Sequence, residues 1–498
     1  MMEPTAPIEL TGSDARWAGA VELPDGFVET LRSIAPVADD VASVAEASRD
    51  WWPLALHWAL IGQVPARAGA VVRPTTVEGV AAVVRHCAAA GVPITAAGGR
   101  SGVCGASVPV FGGVVLDLTG LAGLGDVDEI SGVVEVLAGT FGPDLEAELQ
   151  ERHGLSVGHF PQSFELATVG GWVACRGAGQ YSTRYGKVED MVVGLEVVLA
   201  DGTVVRTGGA PAAAVGPDLT QLFVGSEGTL GVVTRVWLLA HPVPATDQRA
   251  TFWFESFDAG VEACRRILRR GATPAVLRLY DPVESARSHD GDGERAVLLA
   301  LDEGDESIVR ATLEVIEEEC AAAGGEHGSV DLVERWFGHR NDTSALQALT
   351  RSGFVVDTME IAGPWSRLPE LFGAVPAALL AVPHARAASC HLSHSYPDGA
   401  CLYFTFAATP PPEEVESTYV ALWDAGQRAV LAHGGNLSHH HGVGLNRARF
   451  AADALGPAFG VLTAVKSALD PRGILNPGKL GLPSPFGAPP WPSPPAAP

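Results

Sequence analysis

The chain has 498 residues, of which 47% are hydrophobic and 18% charged, so it has enough apolar material for roughly two to four domains with sizeable cores. Its 33 basic and 58 acidic residues leave a formal net charge of −25, which repels nucleic acid and argues against a nucleic-acid-binding function. It contains no apolar run of about 18 residues, and its N-terminus lacks the apolar core of a signal peptide. Seven cysteines without paired spacing indicate buried thiols in a reducing compartment, so we expect a cytoplasmic protein.

Strand and helix patterns predict a strand–helix–strand unit that follows a leader. Residues 1–62 are expected to form a helical leader. Residues 70–73 predict a strand, and Thr76 caps a helix that ends at Gly91. Residues 93–96 predict the next strand, which runs directly into a glycine-rich segment.

Later patterns predict a further sheet and then a cap. Strands are expected at 113–118, 132–137, 191–200, 203–207 and 231–240, with a helix over 143–152. Asp201-Gly202 predicts a hairpin between two of these strands. After a break at residues 241–244, strands are expected at 250–257, 276–280, 296–301 and 401–406, with helices from Asp258 and over 305–323, 413–432 and 455–480. This alternation is typical of an α/β cap with an antiparallel sheet.

Three glycine-rich segments, at 95–105, 161–190 and 225–231, give the strongest signal for a ligand. Glycine at this density lets the backbone approach a ligand and direct N–H groups at phosphate oxygens. Separated segments favour a long ligand such as a dinucleotide, and tight surface turns are the alternative interpretation. Gly177-Ala-Gly179 lacks the third glycine of the G-x-G-x-x-G signature, and no Walker motif occurs, so another nucleotide-binding architecture is predicted.

The three glycine-rich segments, together with Ile474-Leu-Asn-Pro-Gly-Lys479, resemble the FAD-binding domain shared by vanillyl-alcohol oxidase, D-lactate dehydrogenase and their relatives. The resemblance covers roughly residues 60–480 and implies an α+β fold. In that fold, a two-subdomain FAD-binding domain spans 63–244, a substrate cap spans 245–450, and residues 451–482 return to the FAD domain. Residues 483–498 are rich in proline and alanine and are predicted to be disordered.

The resemblance also assigns the cofactor contacts. The pyrophosphate would lie on Thr95, Ala96, Ala97, Gly98, Gly99, Arg100 and Ser101. The flavin and ribityl chain would contact Gln162, Ser163, Thr168, Gly170, Gly171, Cys175, Arg176, Gly177 and Ala178. The adenosine side would contact Gly225, Ser226, Glu227, Gly228, Thr229, Leu230, Gly231 and Val233. Some members attach the flavin through a histidine where this chain has Arg100, so noncovalent FAD is predicted.

Two polar motifs in the cap predict chemistry. One is the run of three histidines in Ser438-His-His-His-Gly-Val-Gly444, and the other is Tyr396-Pro-Asp-Gly-Ala-Cys-Leu-Tyr-Phe404. Hydrogen-bonded core histidines, or a zinc site that adds His391 and His394, are the alternatives for the first motif. A core aromatic is the alternative for Tyr403. No metal is included in the predicted site.

Both motifs, together with Val276-Leu-Arg278-Leu-Tyr-Asp281, resemble the alkylglycerone-phosphate synthase branch of the superfamily. That resemblance implies a transferase that exchanges the acyl group of acyl dihydroxyacetone phosphate for a long-chain alcohol. The exchange proceeds through an adduct at flavin N5, with no net redox. It implies that Tyr403 is the proton donor and acceptor, that Arg278 steadies the adduct, and that three histidines activate the alcohol and orient the substrate: His439, His440 and His441.

Two further residues are candidates for binding the substrate. Arg340 is the candidate for binding the phosphate, because a guanidinium fork matches phosphate oxygens. His391 stands where the branch often has arginine, and it is assigned to substrate binding. The expected partner is a small-molecule or lipid-like phosphate substrate and not nucleic acid, with peripheral membrane contact and a homodimer left open.

Two other functions compete with the transferase. A dehydrogenase or oxidase of a D-2-hydroxy acid usually has a His-x-x-Gly-Asp-Gly-Asn-x-His run and a Glu-His-Gly segment that hold a metal. Here the run is broken, and His440 takes the place of the glutamate. A non-catalytic flavin-binding protein is the third hypothesis, and the dense histidine and tyrosine set argues against it.

Overall fold

The first unit places a glycine-rich loop at the end of a parallel strand. The computed structural model describes residues 8–342 and 344–492. The first unit contains β1 (Asp14–Ala15), α1 (Phe27–Ile34), β2 (Val37–Ala38), α2 (Val41–Ala47), α3 (Pro53–Leu60), β3 (Gln63–Val64), β4 (Ala70–Val72), α4 (Val77–Ala90), β5 (Ile94–Ala97) and β6 (Val114–Asp117). Its sheet has the order β2-β4-β6-β5, in which β4, β6 and β5 are parallel.

Local sequence signals account for helix α4. The Thr76 side chain accepts a hydrogen bond of 3.1 Å from the Gly79 N–H, which caps the first turn. Gly91 ends the helix with a φ of 68°, a left-handed conformation that glycine adopts without strain. The apolar face of α4 packs on the sheet, so that β5 is held in place and delivers residues 98–105 to the ligand side.

The helical leader expected at residues 1–62 also contains a strand of the first sheet. Helices α1, α2 and α3 form, but β2 pairs antiparallel with β4 and thereby completes the first sheet. The Trp52 indole N–H donates a 2.9 Å hydrogen bond to Tyr419 Oη of the cap. This segment is therefore built into both neighbouring units, because its strand and its tryptophans complete surfaces that are otherwise open. Residues 1–7 lie outside the described residues.

The second unit is an antiparallel sheet flanked by short helices. It contains β7 (Leu124–Asp128), β8 (Val133–Leu137), α5 (Gly142–His153), β9 (Leu155–Ser156), α6 (Val169–Cys175), α7 (Ser182–Tyr185), α8 (Val188–Met191), β10 (Val192–Val198), β11 (Val204–Arg206), α9 (Thr220–Phe223), β12 (Val232–Leu239) and β13 (His241–Pro242). The strand order is β11-β10-β12-β8-β7. The hairpin predicted at Asp201-Gly202 joins β10 to β11, with Val198 opposite Val204.

The cap is a seven-stranded antiparallel sheet, as the sequence pattern indicated. It contains β14 (Thr246–Phe254), α10 (Phe257–Arg269), β15 (Val276–Tyr280), α11 (Pro282–Ser288), β16 (Ala296–Gly304), α12 (Glu306–Ala322), β17 (Glu326–His327), α13 (Asp331–His339), α14 (Ser344–Arg351), β18 (Val355–Pro364), α15 (Leu368–Leu380), β19 (Ala385–Ser395), β20 (Gly399–Ala408) and α16 (Val415–Ala432). The strand order is β17-β14-β16-β15-β19-β20-β18. The largest apolar core lies between this sheet and its helices.

The C-terminal segment packs on the first two units. It contains α17 (Ala451–Leu455) and α18 (Ala458–Leu469). Lys466 Nζ donates 2.8 Å hydrogen bonds to the carbonyls of Thr229 and Leu475. Asn476 Nδ2 donates 2.7 Å to the Glu227 carbonyl, which ties the chain end to the third glycine-rich segment.

The prediction of a disordered tail is wrong for residues 483–492. Trp491 is 6% exposed and packs edge-on against Trp52, with ring centroids 4.9 Å apart. Burial of an indole and of Phe486 offsets the entropy of ordering a proline-rich segment. Residues 493–498 of the predicted tail lie outside the described residues. Within the described ranges, no helix is long and apolar enough to cross a bilayer.

Candidate active site

The glycine-rich segments from the first two units meet in one cavity that the cap closes. The following predicted cofactor residues line it: Ala96, Ala97, Gly98, Gly99, Arg100, Ser101, Gln162, Ser163, Thr168, Gly170, Gly171, Cys175, Gly177, Ala178, Glu227, Gly228, Gly231 and Val233. The remaining predicted cofactor residues do not appear on its wall: Thr95, Arg176, Gly225, Ser226, Thr229 and Leu230. The cofactor contacts assigned to these six residues stay predictions.

Two glycines allow the first and second glycine-rich segments to touch. A Cβ on Gly98 would overlap Thr168 Oγ1, and a Cβ on Gly99 would overlap the Leu166 carbonyl oxygen. Arg100 follows with a φ of 54°, in the left-handed region. The tight approach therefore requires glycine, and it orients the loop before any ligand binds.

The loop presents unused hydrogen-bond donors. Within the described ranges, no group accepts from the backbone N–H of Gly99, Arg100, Ser101 or Gly102. Thr168 Oγ1 on the same wall is also buried without a partner. Successive free amides form an anion-binding nest, so this wall fits the pyrophosphate of a dinucleotide.

A row of side chains crosses the cap sheet beside this cavity. Strand register places Tyr280 opposite His391, His391 opposite Tyr403, and Tyr403 opposite Glu360. The imidazole of His391 stacks on the Tyr403 ring at 4.8 Å. Tyr403 Oη donates a 3.1 Å hydrogen bond to Thr358 Oγ1, and both residues line the cavity. Burial raises the pKa of the Tyr403 phenol, which therefore stays protonated at neutral pH.

The triple-histidine loop is held in place by two buried carboxylates. Glu360 Oε1 accepts hydrogen bonds of 3.1 Å and 2.8 Å from the backbone N–H groups of His440 and His441. Glu227 Oε1 accepts 2.6 Å from the Val443 N–H. The loop is thereby held by the cap and by the third glycine-rich segment, which brings His440 and His441 to the cavity wall.

The Glu360 carboxylate is fully buried, and the positive charge of Arg447 balances its negative charge. The Arg447 guanidinium forms a two-pronged pair with its carboxylate, and both side chains are fully buried. Burial opposes ionisation of Glu360, but Arg447 and His441 outweigh it and hold the carboxyl pKa well below its usual range. Burial lowers the pKa of His440 well below its usual range, so this imidazole is neutral. A neutral imidazole has one protonated and one unprotonated ring nitrogen, so His440 can both donate and accept a hydrogen bond at the cavity wall.

His439 lies behind His440 and outside the cavity lining. Its ring, with those of His394 and His440, forms a group whose ligating atoms lie within 4.8 Å of one another. This group differs from the zinc alternative considered above, because His391 does not join it. His391 Nδ1 lies 2.8 Å from Glu284 Oε2, and its Nε2 accepts 2.7 Å from Arg278 Nη2. Burial, and then the charge of Arg278, lower the pKa of His391.

Neither predicted arginine appears on the cavity wall. Arg278 is half-buried and bonded to His391 and to Tyr280 Oη at 3.0 Å. Arg340 donates 2.9 Å to Tyr181 Oη and stacks over the Phe337 ring at 4.2 Å. Among the described lining residues, Arg100 is the single arginine or lysine. The roles assigned to Arg278, Arg340 and His391 stay predictions, and His391 contacts the cavity wall through its stack on Tyr403.

Several site residues were not singled out from the sequence. Glu360 and His159 are isolated polar residues in apolar surroundings, and nothing in their neighbourhood predicts a role. His159 is 1% exposed, lines the cavity, and has no partner for either ring nitrogen. Helices α3 and α14 also contribute to the cavity wall, with Pro53, Leu56 and Leu346. This contribution depends on packing between distant segments, which the periodicity of the sequence does not predict.

Comparisons with known proteins agree with this architecture. Residues 68–208 match the model of the FAD binding domain, and residues 243–480 match that of the C-terminal domain of FAD linked oxidases. The uncharacterized FAD-linked oxidoreductase YgcU of Escherichia coli O157:H7 is 34% identical over 408 residues, which are 78% of this chain and 83% of that protein. The alkyldihydroxyacetonephosphate synthase of Dictyostelium discoideum is 29% identical over 470 residues, which are 84% of this chain and 74% of that protein.

A solved structure of an alkyldihydroxyacetonephosphate synthase superposes with a TM-score of 0.77 at 24% identity, covering 95% of this chain and 90% of that one. The shared fold is the FAD-binding fold of the vanillyl-alcohol oxidase and p-cresol methylhydroxylase type. FAD is therefore the cofactor. The amide nest at residues 99–102 and the close contact of the glycine-rich segments fit its pyrophosphate.

Gly99→Ala is expected to weaken FAD binding by about tenfold or more. The added methyl has no room against the Leu166 carbonyl, and overpacking of this kind costs about 1–3 kcal/mol, where 1.4 kcal/mol is tenfold in affinity. The ratio of flavin to protein absorbance, followed during FAD titration, measures the loss. Gly373→Ala is the matched control, because open space surrounds that position in α15. Equal FAD affinity in both variants would show that the loop contact does not shape the site.

Proposed function

This chain belongs to the family of FAD-linked oxidases, and on that premise we propose that it is a flavin-dependent transferase. It exchanges the acyl group of an acyl dihydroxyacetone phosphate for a long-chain alcohol, with no net redox. Bound FAD supplies an electron-accepting ring beside the substrate carbon. The remaining chemistry, which is proton removal, proton return and orientation, falls to residues of this chain.

The observation that carries the proposal is the placement of Tyr403, His440 and His441. All three lie on the wall of the cavity that the glycine-rich segments also line. The Tyr403 and His440 rings are 6.0 Å apart, and Tyr403 meets His441 edge-on at 5.7 Å. One small substrate can therefore contact a phenol and two imidazoles at the same time.

The protonation states of these groups suit the exchange. His440 is neutral because burial lowers its pKa, so one ring nitrogen is unprotonated and can take a proton from the substrate carbon when the other ring nitrogen gives one up. Tyr403 keeps its proton because burial raises its pKa, so it can donate a hydrogen bond to a departing carboxylate oxygen. Thr358 Oγ1 orients the phenol at 3.1 Å.

An apolar part of the cavity lining supports a long-chain alcohol as acceptor. It consists of Pro53 and Leu56 of α3, Leu346 of α14 and Val356 of β18. Contact with such side chains stabilises a buried methylene by about 0.8 kcal/mol. A free alkyl chain is therefore better suited to this wall than a short polar acceptor.

A second candidate function is oxidation of a substrate that has no phosphate. One observation favours it: among the described lining residues, Arg100 is the single cation, and it lies on the FAD pyrophosphate loop. His391, which stands where the synthase branch often has arginine, is neutral because burial and Arg278 lower its pKa. Similarity to the oxidoreductase YgcU supports the same alternative.

One anaerobic experiment separates the two functions. Purified holoenzyme is mixed in turn with D-lactate and with acyl dihydroxyacetone phosphate plus labelled hexadecanol. The transferase predicts release of fatty acid and transfer of label into an ether product, while D-lactate leaves the flavin absorbance unchanged. Bleaching of the flavin by D-lactate, without transfer of label, would establish the oxidoreductase instead.

A further inference from the structure

Three aromatic side chains form a continuous hydrogen-bonded chain from the cavity wall towards the surface. His440 Nδ1 lies 2.8 Å from His439 Nδ1, and His439 Nε2 lies 2.8 Å from Tyr396 Oη. His440 lines the cavity, whereas Tyr396 is partly exposed and is followed by exposed Pro397 and Asp398. We propose that His440, His439 and Tyr396 are a proton relay that connects the substrate carbon with solvent. The relay adds a proton path to the proposed transferase function, and the kinetic test of the relay depends on that function.

The chain can move one proton without building up charge. In the starting state, His440 donates from Nδ1 to His439 Nδ1, and His439 donates from Nε2 to Tyr396 Oη. His440 Nε2 then takes a proton from the substrate. The Nδ1 proton of His440 passes to His439, the Nε2 proton of His439 passes to Tyr396, and the former phenol proton leaves to solvent. Each group gains one proton and loses one, so both imidazoles end as neutral opposite tautomers.

The surroundings favour neutral exchange over an imidazolium. Lys187 Nζ donates 2.8 Å to the His439 carbonyl, which places a positive charge next to the loop. Burial and then Lys187 lower the pKa of His439 well below its usual range. Burial raises the pKa of Tyr396, so its phenol stays protonated between transfers. A relay of neutral groups is therefore the way in which this buried segment can pass a proton on.

The same distances argue against a metal as the purpose of the cluster. Two imidazoles on one zinc ion, with Zn–N distances of about 2.0–2.1 Å and tetrahedral angles, hold their nitrogens about 3.3 Å apart. The His439 and His440 Nδ1 atoms are 2.8 Å apart, which is a hydrogen-bond length. Ser182 Oγ lies 2.7 Å from His394 Nδ1, so this nitrogen also has a hydrogen-bond partner.

The tautomers can be measured without any turnover. In holoenzyme labelled with 15N-histidine, long-range 1H–15N NMR distinguishes protonated from unprotonated ring nitrogens. His439→Gln and His440→Gln variants identify the two rings. The relay predicts that the two rings are neutral and have opposite tautomers at pH 7. A cationic ring, or the same tautomer in both rings, would overturn it, and this result is independent of which substrate the enzyme uses.

The kinetic test removes the Tyr396 hydroxyl. Tyr396→Phe is expected to slow release of tritium from substrate carbon to water by about tenfold or more, a part of the 10²–10⁴ that positioned acid–base groups contribute. The variant should retain its FAD content. Tyr185→Phe is the matched control, because that phenol donates 2.8 Å to Glu303 and lies outside the relay. The assay uses acyl dihydroxyacetone phosphate tritiated at the reacting carbon.

The possible results distinguish a failure of the proposed relay from a failure of the proposed transferase function. Absence of tritium release from wild-type enzyme would contradict the transferase, and the NMR arm would then decide the relay alone. Equal release by Tyr396→Phe and wild type would contradict the relay. One zinc ion per chain that is lost in His394→Gln would assign the cluster to a metal and would also contradict the relay.

Discussion

Tyr403→Phe is expected to lower turnover by about 10²–10⁴-fold while FAD binding stays unchanged, which is the range for loss of a general acid or base. The hydroxyl is the one group that the substitution removes. The ring keeps its stack on His391 at 4.8 Å and its place opposite Glu360 in the sheet. Thr358 Oγ1 loses a 3.1 Å hydrogen bond on the cavity wall, where a hydroxyl can turn to other partners.

Three measurements test this expectation. Turnover of the proposed exchange reports the chemistry, the flavin absorbance reports FAD content, and thermal unfolding reports the fold. Thr405→Val is a suitable control, because Thr405 lies on the same strand, opposite Thr358, and is not among the residues that line the cavity. Turnover within about twofold of wild type in Tyr403→Phe would remove the phenol from the mechanism.

Glu360→Gln is expected to destabilise the protein by about 3–5 kcal/mol, the cost of leaving a buried charge unpaired. Arg447 is fully buried and remains positive in the variant, because its guanidinium does not deprotonate. The same substitution weakens the acceptor for the N–H groups of His440 and His441. We therefore expect reduced turnover as well as reduced stability.

Denaturant unfolding of the two proteins at several pH values measures the effect. The folded pKa of Glu360 lies below its usual value of 4.5, so its stabilising contribution is complete above that value. The contribution is lost as the pH falls through the lower folded pKa. The contribution of the Glu360–Arg447 pair should therefore persist from neutral pH down to about 4.5 and should shrink only in stronger acid.

Glu148→Gln is the control for charge removal in general. Its partner Arg152 is 65% exposed, one turn along helix α5, and such pairs contribute at most about 0.5 kcal/mol. A difference of less than about 1 kcal/mol for Glu360→Gln would show that the buried pair does not stabilise the triple-histidine loop.

Local signals in the sequence predicted most elements correctly. Thr76 and Gly91 bound α4, and Asp201-Gly202 forms the hairpin, because caps and turns depend on a few neighbouring residues. The strand predicted at 276–280 agrees with β15. The order of residues 483–492 was missed, because the partner of Trp491 is Trp52, more than 400 residues away.

The sequence by itself predicted the cofactor, and its resemblance to a known branch of the family proposed the three histidines and Tyr403 as the reactive set. Properties of single residues support these predictions: glycine has no Cβ, and an imidazole ring exchanges protons. Tertiary structure alone decided which of these residues share a cavity. Glu360 of β18 and Glu227 of the third glycine-rich segment are far apart in the chain, yet together they hold one loop. Hydrogen bonds between distant segments depend on how the sheets and helices pack, and no pattern of neighbouring residues records that.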